Sequence, residues 1–169
     1  MSAAGRKRVF VSLGSNLGDR RVSLRAARQR LSALTGTSVI AASRVYETAP
    51  RQVEDQPAFL NQILCLETGL APGELLAACL AIEDAAGRER RLRFGPRTID
   101  VDILLFEDVT SDEPELTLPH PRMWQRAFVL APLAEIWTYG RGMPTVDVAA
   151  LAAELAKTQQ ITVAGTADE

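Results

Sequence analysis

The chain has 169 residues and a formal net charge of -2, which suits one compact domain and excludes a uniformly basic nucleic-acid binder. Hydrophobic residues make up 47%, enough for a packed core and too many for a disordered chain. No apolar run is long enough to span a membrane, and the short run after Arg6, Lys7 and Arg8 ends at Gly14 without a signal-peptide pattern, so the expected location is cytoplasmic.

A first strand is predicted over residues 8–13, broken by Gly14-Ser15-Asn16, with Asn16 able to cap the helix that follows. Leu24, Ala27, Leu31 and Leu34 recur every three or four residues and form one apolar stripe, and Gly36 lies where a helix C-cap belongs. Residues 38–46 read as a strand, 48–57 as a polar loop and 59–68 as a further strand. A second helix starts near Pro72, buries Leu75, Cys79, Ile82 and Ala86, and ends at Gly87. An arginine-rich loop over residues 88–97 leads into a strand over 98–106. The order strand, helix, strand, strand, helix, strand is ferredoxin-like, and it predicts an α+β sandwich: an antiparallel sheet with helices on one side. Beyond Glu107 a short strand near 116–118, a helical stretch after Arg126 and an Ala-rich helix around 146–157 form a C-terminal helical extension. The expected domain spans 1–157, and 158–169 reads as a loose polar tail. Cys65 and Cys79 lie in apolar segments without metal-type spacing and are expected to be buried, reduced thiols.

The chemistry concentrates in two adjacent segments. Side chains alternate along a strand, so Asp100 and Asp102 share one face while Ile99, Val101 and Ile103 share the other. Aspartate is a poor strand former, and two close carboxylates repel unless a cation lies between them. Mg²⁺ suits such a pair because it takes a few carboxylates together with phosphate oxygens and water. Alone, the pair could equally be a solvated sheet face. Arg88, Arg90, Arg91, Arg93 and Arg97 precede it in a chain that is slightly acidic overall. Guanidinium groups bind phosphate in a bidentate fork, and glycines at 87 and 95 suit a closing loop. Together, arginines and aspartates point to phosphoryl-type transfer from a nucleoside triphosphate. No Walker motif is present, and Gly14 to Gly18 is only a glycine-containing turn before a helix.

These residues also carry a resemblance. The pieces are Leu13-Gly14-Ser15-Asn16-Leu17, Tyr46-Glu47-Thr48, Asp55-Gln56-Pro57 with Phe59-Leu60-Asn61, Ile82-Glu83 with Gly87-Arg88, the block from Phe94 through Gly95-Pro96-Arg97-Thr98-Ile99-Asp100-Val101-Asp102 to Ile103, Pro119-His120, Arg126 with Phe128, and Pro132-Leu133. In this order the chain resembles the 6-hydroxymethyl-7,8-dihydropterin pyrophosphokinases of folate biosynthesis. The resemblance implies attack of the pterin hydroxymethyl oxygen on the β-phosphorus of ATP, with AMP leaving. It implies two Mg²⁺ ions held by Asp100 and Asp102, with ATP as co-substrate. Arg88 and Arg97 then contact the phosphates, with Arg90 and Arg93 in the same loop. Glu83, Ile103, Thr117, His120 and Arg126 match the nucleotide pocket. Phe59 and Phe128 match the pair that stacks on the pterin, a flat ring with polar edges. Asn61 meets the ring edge as donor and acceptor, with Thr48, Ala49, Arg51, Phe94 and Asp100 around it.

Each of these residues has an ordinary reading as well. Phe59 and Phe128 would otherwise be core, and His120, between two prolines, a loop residue. The chain departs from the family pattern at Phe59, where tyrosine is frequent, and at Phe94, where tryptophan is common. Ala49 replaces a frequent proline, Arg51 an apolar residue, and Glu115 an arginine of some relatives. Nucleotidyl transferases and cyclases share the carboxylate logic, and regulatory small-molecule-binding domains share the fold. The expected partners are small molecules, with neither nucleic acid nor membrane, and the expected state is a monomer.

Overall fold

The computed structural model describes residues 5–48, 58–86, 98–138 and 140–167. β1 (Lys7–Ser15) is buried on both faces, with Val9, Val11 and Leu13 entering one core and Phe10 another. α1 (Arg20–Ser32), β2 (Thr37–Ala42), β3 (Tyr46–Thr48) and β4 (Phe59–Thr68) follow, then α2 (Pro72–Ala85) and β5 (Asp100–Phe106). A small hairpin, β6 (Ser111–Glu113) and β7 (Leu116–Leu118), precedes a 3-10 turn at Met123–Gln125, α3 (Ala127–Ile136), α4 (Val148–Ala156) and β8 (Ile161–Val163).

The main sheet is antiparallel at every pairing among the described residues, in the order β5-β1-β4-β3-β8. β2 runs along the same edge of β4 as β3, at the opposite end. The strand expected over 38–46 therefore divides in two, and Ser43 is the reason. Its hydroxyl accepts the Ile63 N–H at 2.9 Å, and its carbonyl accepts Gln62 Nε2–H at 2.8 Å. The Ser43 N–H still donates to the Ile63 carbonyl at 2.9 Å, but the side-chain bonds take the place of the return bond of a regular ladder.

α1 begins at Asp19, whose Oδ1 accepts the Val22 N–H at 3.2 Å, after Gly18 turns the chain at φ +71. Asn16, expected as the cap, is instead fully buried just past β1. The helix stops at Ser32, so Leu34 and Gly36 lie beyond it. In α2, Pro72 occupies the first turn and Glu74 Oε1 accepts the Ala71 N–H at 2.8 Å, half of a capping box.

Helices cover both faces of the sheet, where one covered face was expected. α1 and α2 pack on Val9, Val11, Leu13, Leu64 and Leu66, while α3 and α4 pack on Phe10, Ile63, Cys65 and Leu104. Central strands that are apolar on alternate residues in both phases need covering on both sides.

The C-terminal segment expected to be loose joins the sheet. β8 pairs with β3, Ala164 donates its N–H to the Val45 carbonyl at 2.7 Å, and Ala167 is buried. Arg21 donates to the Ala164 and Thr166 carbonyls, and Arg25 to that of Ala167 at 2.6 Å. On the side of the C-terminal segment these bonds are made by backbone groups, so a polar composition does not forecast them. Both cysteines are free and buried, and burial pushes the Cys65 thiol up to about 11 and that of Cys79 to about 12.

Candidate active site

Alternation along β5 places Val101 and Ile103 in the core under α2, and Asp100 and Asp102 on the opposite face. Asp102 is exposed and Asp100 half-buried. Pairing then draws a row across four strands: Asp100 is opposite Gly14, Gly14 opposite Asn61, and Asn61 opposite Tyr46. Asp102 is opposite Ser12 in the next row. Strand spacing sets the Asp100 and Asn61 backbones about 10 Å apart.

Gly14 keeps the middle of this row open. A Cβ there would lie 3.3 Å from Asn61 Oδ1 and 3.8 Å from Phe59 Cδ1. Asn61 is buried, and its Nδ2 donates to Thr48 Oγ1 at 3.0 Å, which turns Oδ1 toward Gly14. Phe59 is half-buried at the start of β4, opposite Thr48.

Along the edge of β5 with which no described strand pairs lies a cleft of about 370 Å³ between α2 and the β6–β7 hairpin. Glu83, Ile103, Thr117 and His120 line it together with Asp102 and Glu115. Glu83 is buried and accepts the Val101 N–H at 2.8 Å, which pins β5 between the two aspartates. The His120 N–H donates to the Leu104 carbonyl at 2.8 Å, and His120 Nδ1 accepts the Arg122 N–H at 3.3 Å. The ring proton is therefore on Nε2. Burial, then the Arg126 and Arg122 charges, hold the imidazole below its usual 6.5, so it is neutral at neutral pH.

Arg126 precedes α3, and its guanidinium lies 5.5 Å from the centre of the Phe128 ring, in the first turn of that helix. α3 covers the same face of the sheet that carries Asn61 and the aspartates. Among the described residues no three His, Cys, Asp or Glu side chains gather as a metal cage. Two carboxylates on one strand face still fit Mg²⁺, which keeps several waters and phosphate oxygens as ligands.

A family model described as 7,8-dihydro-6-hydroxymethylpterin-pyrophosphokinase (HPPK) matches residues 10–138. The chain belongs to the HPPK family. It is 48% identical over 127 residues to a 2-amino-4-hydroxy-6-hydroxymethyldihydropteridine pyrophosphokinase of Bacillus subtilis, covering 75% of this chain and 76% of that one. A Pseudomonas aeruginosa protein of the same name is 48% identical over 130 residues, covering 77% and 80%. Among solved structures, a triple mutant of Plasmodium falciparum HPPK-DHPS has the same fold, with a TM-score of 0.67 at 17% identity. That match covers 90% of this chain, which spans only 44% of the longer Plasmodium chain.

The HPPK match contains every site residue described so far and stops before α4 and β8. Glu83, Ile103, Thr117 and His120 meet in one cleft, and Thr48, Phe59 and Asn61 meet at the start of β4. Arg126 and Phe128 come together at the start of α3. Ala49, Arg51, Arg88, Arg90, Arg93, Phe94 and Arg97 lie outside the described residues. Sequence reasoning missed Ser12 and the spacing role of Gly14, which it read as a strand break. Only the pairing register, with Gly14 between Asp100 and Asn61, could have revealed that role.

Proposed function

We propose that this chain transfers a diphosphate group from ATP to 6-hydroxymethyl-7,8-dihydropterin, releasing AMP, in folate biosynthesis. Asp102 carries the reading: it lines the edge cleft and also stands beside the Asp100–Gly14–Asn61 row. The carboxylates thus stand between a pocket for the nucleotide and a slot for the pterin.

In this reading the nucleotide enters the cleft against Glu83, Ile103, Thr117 and His120, with Arg126 nearby. The neutral imidazole offers its Nε2–H as a donor. The pterin ring lies between Phe59 and Phe128, with its edge toward Asn61. One Asn61 N–H is committed to Thr48, which leaves Oδ1 and the second N–H for the ring. Asp100 and Asp102 hold Mg²⁺, two ions by the family resemblance, which when bound neutralises charge on the polyphosphate. The hydroxymethyl oxygen bonds to the β-phosphorus while the bond from that phosphorus to the α,β-bridging oxygen breaks. AMP departs with the bridging oxygen, and the hydroxyl proton passes to solvent. Positioning supplies most of the catalysis, as is general for phosphoryl transfer.

By resemblance, Arg88, Arg90, Arg93 and Arg97 meet the phosphates, and Ala49, Arg51 and Phe94 complete the pterin side. The order β1-α1-β2-β4-α2-β5 is read as a ferredoxin-like core, with the elements after β5 as an extension. Within the same proposal the chain works in the cytoplasm as a monomer. No helix among the described residues is long and apolar enough to cross a membrane.

Product analysis tests the reaction. Incubation with ATP, Mg²⁺ and hydroxymethyl-dihydropterin, resolved by chromatography, is expected to yield AMP and the pterin diphosphate in equal amounts. ADP with a pterin monophosphate would mean a simple kinase, and released pyrophosphate a nucleotidyl transferase.

A further inference from the structure

α3 starts without a cap of its own. Arg126 stands at the N-cap position, and a guanidinium has no acceptor to offer the first helical N–H groups. A distant residue fills the gap: Gln159 Oε1 accepts the N–H of buried Ala127 at 2.8 Å. The same amide donates from Nε2 to the Gln125 carbonyl, also at 2.8 Å. Gln159 therefore bonds the backbone on both sides of Arg126.

Two anchors hold Gln159 itself. Its N–H donates to the Leu155 carbonyl at 3.0 Å, at the end of α4. Two residues later β8 begins, and it pairs with β3 from Ile161 opposite Thr48 to Val163 opposite Tyr46. Thr48 orients Asn61. The C-terminal segment thus reaches both walls of the pterin slot, and it lies beyond the residues matched to the family.

We propose that Gln159 is a positioning residue of the active site, whose amide sets Arg126 and Phe128 by bridging Gln125 and Ala127. The proposal rests on the pyrophosphokinase reading for what Arg126 and Phe128 do. Its physical content is narrower. Backbone on either side of Arg126 has its hydrogen bonds completed by one side chain, and the direction of the Arg126 and Phe128 side chains follows from that backbone. Without the bridge, the first turn of α3 frays and the stacked pair loses its fixed entry angle.

The test uses the full chain with Gln159→Leu, which keeps the shape, and Gln159→Glu, which keeps the acceptor for Ala127 and loses the donor. Amide exchange at Ala127, followed by NMR, reports the bridge without any turnover. Equilibrium binding of hydroxymethyl-dihydropterin reports the slot. In Gln159→Leu, Ala127 exchange is expected to accelerate and pterin binding to weaken about tenfold, the scale of one or two lost hydrogen bonds. Gln159→Glu should fall between that variant and the unaltered protein. Combining Gln159→Leu with Phe128→Ala should weaken pterin binding no further than Phe128→Ala alone, because both act through one ring.

Accelerated exchange with unchanged pterin affinity would reduce Gln159 to a helix cap and overturn the proposal. Additive losses in the double variant would overturn it too. If the unaltered protein made no AMP and no pterin diphosphate, the reading of the reaction would fall, and the Gln159 role with it. Pterin affinity in Gln159→Leu equal to that of the unaltered protein, with AMP and pterin diphosphate formed by both, would instead remove the Gln159 role alone.

Discussion

Asp102 is exposed on one sheet face while its neighbours Val101 and Ile103 are buried on the other. Its loss should therefore separate chemistry from folding. Asp102→Asn is expected to reduce turnover about a thousandfold, the scale of several kcal/mol of lost charge stabilisation. Its melting temperature should stay close to that of the unaltered protein, since exposed substitutions cost little. Steady-state kinetics and circular dichroism melts check both halves, and retained activity would remove the carboxylate from the reaction. His120 gives a second expectation. Its pKa in the fold is below the ordinary 6.5, so the unfolded chain binds the proton first as pH falls. Stability should decline as pH drops below 6.5 and through the lowered folded value. In His120→Gln that part of the slope should vanish, as read by urea titration between about pH 5 and 8. The aspartate pair was legible because alternation on a strand needs no partner to be read. Gly14 was not, because its role depends on which residues stand opposite it across two other strands.

α3 is held near its far end as well as at its start. Glu135 accepts the Arg44 N–H at 2.9 Å, pairs with the Arg44 guanidinium at 3.1 Å, and accepts a hydrogen bond from the Tyr46 hydroxyl. Burial raises the Glu135 carboxyl, but the bonds from Tyr46 and Arg44 outweigh it and hold the pKa below 4.5. Burial, then Glu135, raises that of Tyr46. The stabilisation from ionised Glu135 is present above the ordinary carboxylate value and lost as pH falls through the lowered one. Glu135→Gln should cost about 1 kcal/mol near neutral pH, modest because solvent screens this half-open site. The difference between the two proteins should shrink in acid, and thermal melts against pH check it. Elements with strong periodicity or clear punctuation were legible: β4 and β7 have the expected bounds, and α2 starts at Pro72. The division of β2 from β3 was hidden because one serine hydroxyl takes the place of a single ladder bond. β8 was hidden because it is held through backbone groups: its own pairing with β3, and the Ala164 and Ala167 carbonyls just after it, which arginines of α1 hold.

Two cores, one on each face of the sheet, give the molecule a division of labour. Leu31 on α1 and Leu130 on α3 are both fully buried, in different cores. Truncating either to alanine should cost about 2–5 kcal/mol of stability. Only the second change disturbs the layer that carries Arg126 and Phe128. A ligand that binds the folded state raises the melting temperature in proportion to the logarithm of its concentration over its dissociation constant. Adding hydroxymethyl-dihydropterin should therefore raise the melting temperature of Leu31→Ala as much as that of the unaltered protein. The rise in Leu130→Ala should be smaller, because its slot has lost a firm wall. Differential scanning fluorimetry over a pterin titration reads both shifts from lowered starting points. Equal rises in the two variants would mean that α3 supports the sheet without shaping the site.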